Sequence, residues 1–239
     1  MSTQLTGAVV VNAQKLFSES STALHNLGEL VFSNDGRAYR YCKAGATALV
    51  AGKLQQSSAE DTTNFQNLTC AVSSAGATSI TTTSTVTLTV DQLAGALLTV
   101  TAATTGAGFL YKVKGHAAAT AAVVTFNLED SVVVATTGTV TVDLAPNPYS
   151  AVIVNPASAS SAPVSVAVYT ITAAYYGWLQ VGGVASSLND GGSTVGTNVS
   201  ASNGTAGAVE AAVTAQAAIG VALTGVATTE YGLVKLFGL

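Results

Sequence analysis

The chain has 239 residues, of which 49% are hydrophobic and only 8% charged. That length and apolar content suffice for one large core or two smaller ones and exclude a disordered or collagen-like chain. Eight Lys and Arg against twelve Asp and Glu give a formal charge of -4, with cations too few and too scattered for the basic stripe that a nucleic acid demands.

A soluble domain usually carries about 25–35% charged residues on its surface. This chain must therefore cover itself with Thr, Ser, Ala and Gln, or hide much of its outside against other subunits. The charge is also uneven. Lys15, Arg37, Arg40, Lys43 and Lys53 lie in the first quarter, whereas after Lys114 only Lys235 remains beside six acids. That polarity suggests head-to-tail or layered contact between molecules. The first cation, Lys15, follows the apolar run Ala8 to Val11 rather than preceding a long one, so the opening does not read as a secretion signal and synthesis in a cytoplasm is expected. The late stretch Gly207 to Thr228 contains Glu210 and Gln216 among small residues. It does not read as a membrane span, which needs about 20 strongly apolar residues.

In chain order, Ala13 to Leu27 is the first of two weak helix candidates. Leu30-Val31-Phe32, the turn Ser33-Asn34-Asp35-Gly36 and Arg37 to Lys43 then read as strand, turn and strand. Val86, Leu88 and Val90 alternate with Thr as a half-buried strand should, and the pattern recurs at Val124 to Glu129, Val140 to Leu144 and Val164 to Val168. Gly106 to Gly108, Gly138 and the Ala145-Pro146-Asn147-Pro148 corner supply turns. Tyr175 to Val181 and Tyr231 to Phe237 are two further strands, with the Asn189-Asp190-Gly191-Gly192 turn and the second helix candidate, Val209 to Ala218, between them. The fold class is all-β. All four prolines fall between Pro146 and Pro163, and the Ser/Thr/Ala-rich run Ser73 to Ser84 is low in apolar bulk. Taken as two hinges, they predict an inserted β-sandwich at 78–163, carried by a β-barrel-like module built from 1–77 plus 164–239.

Catalytic patterns are weak. Only His25 and His116 could serve a nucleophile as base, and neither sits in a recognisable context; His116 reads as an exposed strand end. Glu129 and Asp130 are neighbours on a strand end, where adjacent side chains point apart, and read as a turn. Gly52-Lys53 resembles the end of a phosphate-binding loop, but Thr47 stands where Gly is required and Leu54 where Ser or Thr would hold magnesium. Gly106-Ala107-Gly108 lacks the third Gly of a dinucleotide loop. Cys42, Cys70, His25 and His116 have no ligand pairs at metal spacing, and the Asn189 to Gly192 turn lacks the carboxylates of a calcium loop. No cofactor, no metal and no catalytic residue is expected, and the two thiols read as small buried side chains. The aromatics give a different signal: alternation sets Tyr175 with Leu179 on one face and Tyr176 with Trp178 on the other. Burial within the monomer, a subunit contact and a sugar-binding platform are the three readings of that cluster. Together with the apolar tail Leu233 to Phe237 it makes a surface candidate. The candidate interface residues are Arg37, Arg40, Lys43, Lys53, Tyr175, Tyr176, Trp178 and Phe237.

Gly36-Arg37-Ala38-Tyr39-Arg40-Tyr41-Cys42-Lys43-Ala44-Gly45 followed by Leu49-Val50-Ala51-Gly52-Lys53-Leu54-Gln55 resembles the opening of capsid decoration (cement) proteins of tailed bacteriophages. Tyr175 to Gly183, Ile219 to Leu223 and Tyr231 to Leu236 resemble the same group's closing strands, and Leu110 to His116, Leu128-Glu129-Asp130 and Pro146 to Tyr149 its inserted domain. The resemblance implies a non-enzymatic virion protein, often a homotrimer, made in the host cytoplasm. It would sit on the outer surface of the expanded head, with the major capsid protein and itself as partners and neither nucleic acid nor membrane among them. An adhesive or receptor-binding module of a tail or fibre is the alternative, and a surface-layer or pilus-like protein a third reading.

Overall fold

The computed structural model describes residues 5–6, 14–121, 123–158, 160–213 and 216–238. They are almost wholly strand and turn, as the period-two pattern predicts. The chain divides into two compact units, one of residues 1–59 and 148–239 and one of residues 60–147. The first unit opens with β1 (Leu5–Thr6), β2 (Leu30–Ser33), β3 (Ala38–Lys43) and β4 (Leu54–Gln56). The second contains a single helical turn, α1 (Thr62–Phe65), and then β5 (Leu68–Cys70), β6 (Ser79–Thr83), β7 (Leu97–Ala102), β8 (Leu110–His116), β9 (Val123–Leu128) and β10 (Val140–Ala145). The chain returns to the first unit with β11 (Ile153–Val154), β12 (Pro163–Ala167), β13 (Tyr176–Leu188), β14 (Asn198–Ala201), β15 (Val209–Ala211), β16 (Gly220–Ala222) and β17 (Tyr231–Leu236).

In the first unit one long strand organises everything. The front half of β13 pairs with β3, from Tyr176 opposite Lys43 to Gly182 opposite Ala38, and its back half pairs with β17, from Gly183 opposite Leu236 to Leu188 opposite Tyr231. The change of partner falls at Gly182-Gly183, directly after the register slips between Gln180 and Gly182, and Gly183 takes φ +78°, the backbone region that glycine alone enters without strain. The other edge of the front half pairs with β12, β12 with β4, and β4 with β11. A parallel bridge from Ala44 to Val152, with the Val152 N–H donating to Lys43 O at 3.0 Å, brings that ring of strands back to the end of β3. Cys42, Leu49, Tyr149, Val152, Ile171, Leu179 and Val181 fill one core of this unit. Val31, Tyr39, Tyr41 and Trp178 build a second under the segment carrying Leu16 and Leu27. A third gathers Leu54, Val166, Ala185, Val199, Val209, Ile219, Val234 and Leu236 beneath the sheet of β17, β16, β14 and β15.

The second unit is a closed six-stranded barrel in the order β10-β5-β6-β9-β8-β7, every pairing antiparallel. Closure leaves no exposed strand edge. Leu98, Val100, Tyr111, Val113, Phe126, Leu128, Val140 and Val142 point inward. Thr81 meets Thr125 and Thr101 meets Thr141 on the outside, each hydroxyl pair at 2.9 Å.

Several expectations are corrected. The closed barrel is the inserted unit, and its boundaries are 60–147 rather than 78–163. The Ser/Thr-rich stretch taken as a hinge contains β6, a central barrel strand whose Ile80 is buried, and β5 before it is needed for closure. The proline-rich stretch contains β11 and β12 of the first unit, with Pro163 opening a strand at the place where proline is tolerated. Val86 to Val90 is no strand: the Ser84 hydroxyl binds the backbone of Val86, and Leu88 alone makes a bridge, to Ala119. Of the first helix candidate, Ala13 lies outside the described residues. The remainder turns instead of coiling, because Ser18 and Ser20 hydroxyls bond to Lys15 O and Thr22 O, offering the backbone local alternatives to helix. The second candidate begins as β15, and residues 214–215 lie outside the described residues.

Candidate docking surface

The basic residues of the first quarter are not gathered into one patch. Arg37 binds Asp35 in the β2–β3 turn, with nitrogen–oxygen contacts of 2.7 and 2.8 Å, and its guanidinium lies 5.8 Å from the Tyr39 ring centre. This pairing holds the Asp35 carboxyl well below its usual range and raises the Arg37 guanidinium. Arg40 projects from the other face of β3, donating to Gly28 O at 2.6 Å and covering Tyr149 at 5.5 Å. Lys43 returns to the Tyr39 face, 5.5 Å from the Tyr176 ring centre, and Lys53 sits in the turn before β4. Arg37, Arg40 and Lys43 therefore serve internal contacts along opposite sides of β3 and the turn before it. Gly52, beside Lys53, donates its N–H to Ala167 O at 2.7 Å and is committed to the fold rather than to a phosphate.

The aromatic cluster also divides. Tyr176 and Trp178 do share a face, as alternation predicts, but Trp178 is 0% exposed. Its ring lies 5.0 Å from those of both His25 and Tyr41, and the Tyr41 hydroxyl donates to the buried Gln14 at 2.6 Å. Trp178 is thus a core residue and offers nothing to a partner. Tyr175 lies just before β13 and remains partly exposed, Tyr176 is half-buried, and Phe237 is exposed.

Sequence reasoning missed most of the surface that does stand open. On β17 the inward residues Val234 and Leu236 alternate with outward Tyr231, Leu233 and Lys235. Val184 lies opposite Lys235 on β13, and Leu223 donates its N–H to Leu233 O. Phe17, Val184, Tyr231 and Leu233 line one groove of about 500 Å³, with Arg37 at its wall. The Tyr231 ring rests on Gly52, where a Cβ would come within 2.5 Å of it. The signal was available in the sequence, since two of the three outward positions of Tyr231 to Leu236, Tyr231 and Leu233, are apolar where a solvated face would be polar.

Two other places hold titratable groups. On the barrel, Asp91, Lys114, Asn127 and Thr78 line an open groove of about 570 Å³. His116 borders it but is 2% exposed rather than a free strand end. Its Nε2 accepts the Leu93 N–H at 3.0 Å and its Nδ1 faces Ala117 O at 2.8 Å, so the ring acts as a buried backbone strut. His25, in the first unit, lies 3.1 Å from Glu29. Cys42 and Cys70 are free, buried thiols. Among the described residues no three His, Cys, Asp or Glu side chains converge as a metal site, and no helix is long and apolar enough to cross a membrane. Comparison with protein-family models, with curated proteins and with solved structures finds no match to this chain.

Charge separates by unit rather than by end of chain. The first unit holds Lys15, Arg37, Arg40, Lys43, Lys53 and Lys235 against Glu19, Glu29, Asp35, Asp190, Glu210 and Glu230, and is formally neutral. The barrel holds only Lys112 and Lys114 against Glu60, Asp61, Asp91, Glu129, Asp130 and Asp143, and so carries the whole net charge of -4.

Proposed function

We propose that this chain is a structural virion protein, a decoration (cement) protein that binds the outside of an expanded bacteriophage head and stiffens it, with the major capsid protein as its partner and no catalytic duty. One observation carries the reading. The segments that resemble this group, Gly36 to Gly45, Tyr175 to Gly183 and Tyr231 to Leu236, are far apart in sequence yet form the adjacent strands β3, β13 and β17 of one sheet. A resemblance confined to scattered short motifs would have no reason to assemble in space. A surface of strands carrying few long charged side chains also suits a protein that works by interface area, since little rotamer freedom is lost on docking. The adhesive alternative needs Tyr and Trp on an open platform, and the burial of Trp178 disfavours it.

The test is thermal rupture of purified expanded shells with increasing amounts of the protein. A ligand that binds only the assembled lattice stabilises it by about 2.7 kcal/mol per site at a hundredfold excess over its dissociation constant. The rupture temperature should rise and then saturate as sites fill. Shells that rupture at the same temperature with and without the protein would remove the cement function.

A further inference from the structure

We infer that the outward face of β17 and the back half of β13 is a contact between copies of this chain, its occupant a second copy. Phe17, Val184, Leu223, Tyr231, Leu233 and Phe237 are each between 39% and 57% exposed, and four of them line the same groove. Their uncovered parts amount to on the order of 500 Å², which is most of the ~800 Å² per partner that a stable protein contact buries. The composition of the face is that of an interface centre, aromatic and aliphatic with Lys235 its one outward charge on β17. Arg37 at the groove wall is already neutralised by Asp35, and Lys235 has a stem long enough to carry its ammonium to the rim.

The charge balance suits a second copy as the occupant. The unit bearing this face is formally neutral, so two copies can bring these units together without self-repulsion. The barrel, which holds the net negative charge, is the part that copies would keep apart. The contact requires no other component and does not rest on the capsid reading.

Sedimentation of the purified full chain from 1 to 100 µM, with no particle present, tests it. The wild-type protein should run as a multiple of 23.7 kDa, with little change between 0.05 and 0.5 M NaCl because the contact is apolar. Tyr231→Ser with Leu233→Ser should weaken association about 100-fold or more. Leu110→Ser, an equally exposed apolar site on the barrel, should leave it unchanged. Circular dichroism and the emission of the buried Trp178 establish that each variant is folded, and Val184→Ser provides a second, milder break of the same face. A wild-type monomer throughout the range would overturn the inference. So would association that salt abolishes, or association that the folded double variant retains. Loss of shell stabilisation with association intact would instead count only against the cement function.

Discussion

Cys42 and Cys70 show what single residues contribute here. Burial pushes the Cys42 thiol well up, and it moves Cys70 from its ordinary value of 9.0 to about 11. Burial likewise raises the hydroxyls of Tyr39, Tyr41 and Tyr149. All five groups are neutral in the folded protein and ionise more readily once unfolded. A raised folded-state value means that their contribution is fully present below the unfolded value and is lost as pH climbs through the folded one. The urea midpoint should therefore hold steady up to about pH 9 and fall between pH 9 and 11, and Cys42→Ala with Cys70→Ala should flatten part of that fall. A midpoint unchanged at pH 10.5 would contradict the burial of these groups. The Asp35 carboxyl works in the opposite sense, since its lowered value makes its pairing with Arg37 fade as the solution is acidified.

At the scale of elements, β13 carries the largest mechanical demand, because a 13-residue strand must leave β3 and join β17 in mid-course. Gly183 permits this in two ways: its φ is positive, and a Cβ there would meet Arg37 Cα and Cγ at 3.0 Å and Gly36 O at 3.2 Å. Gly191 has φ +83° with nothing within 4 Å of the same position. Gly191→Ala should cost about 1 kcal/mol, the conformational part alone, whereas Gly183→Ala adds a backbone clash and should cost about 2–4 kcal/mol. Equal costs in chemical denaturation would show that β3 and β13 are not held that closely. The same element marks what the sequence could and could not disclose. Tyr176 and Trp178 on one face, and the strand itself, were legible from alternation. The continuation to Leu188 was not, because Gly182-Gly183 reads locally as an ending and only the partners on either side make it a bend. Val86 to Val90 failed in reverse: the pattern is strand-like, but nothing in it reports that Ser84 captures the backbone. The outward apolar residues of β17 and the closeness of Asp35 to Arg37 were legible, whereas the internal duty of Arg40 depends on Gly28 and Tyr149, which only the folded pairing brings near.

For the whole molecule, the position of the insertion decides which piece can stand alone. The barrel closes only because β10 pairs with β5 on one side and β7 on the other, and its core residues all lie between Leu68 and Leu144. A fragment spanning 60–147 keeps that ring, the capped turn in which Asp61 accepts the Asn64 N–H at 3.0 Å, and the Asp143 carboxylate that receives the Asn67 N–H at 2.7 Å. A fragment spanning 78–163, the boundaries that composition suggests, loses β5 with Leu68 and Cys70 and carries β11 without its partner β4. It leaves β10 and β6 as open edges flanking an incomplete core. The 60–147 fragment should show a cooperative urea transition and dispersed amide resonances, and the 78–163 fragment neither. Trp178 lies only in the first unit, so in the intact chain its fluorescence follows that unit, while far-ultraviolet circular dichroism follows both. If the 78–163 piece folds and the 60–147 piece does not, the pairing of β10 with β5 is not what closes the barrel.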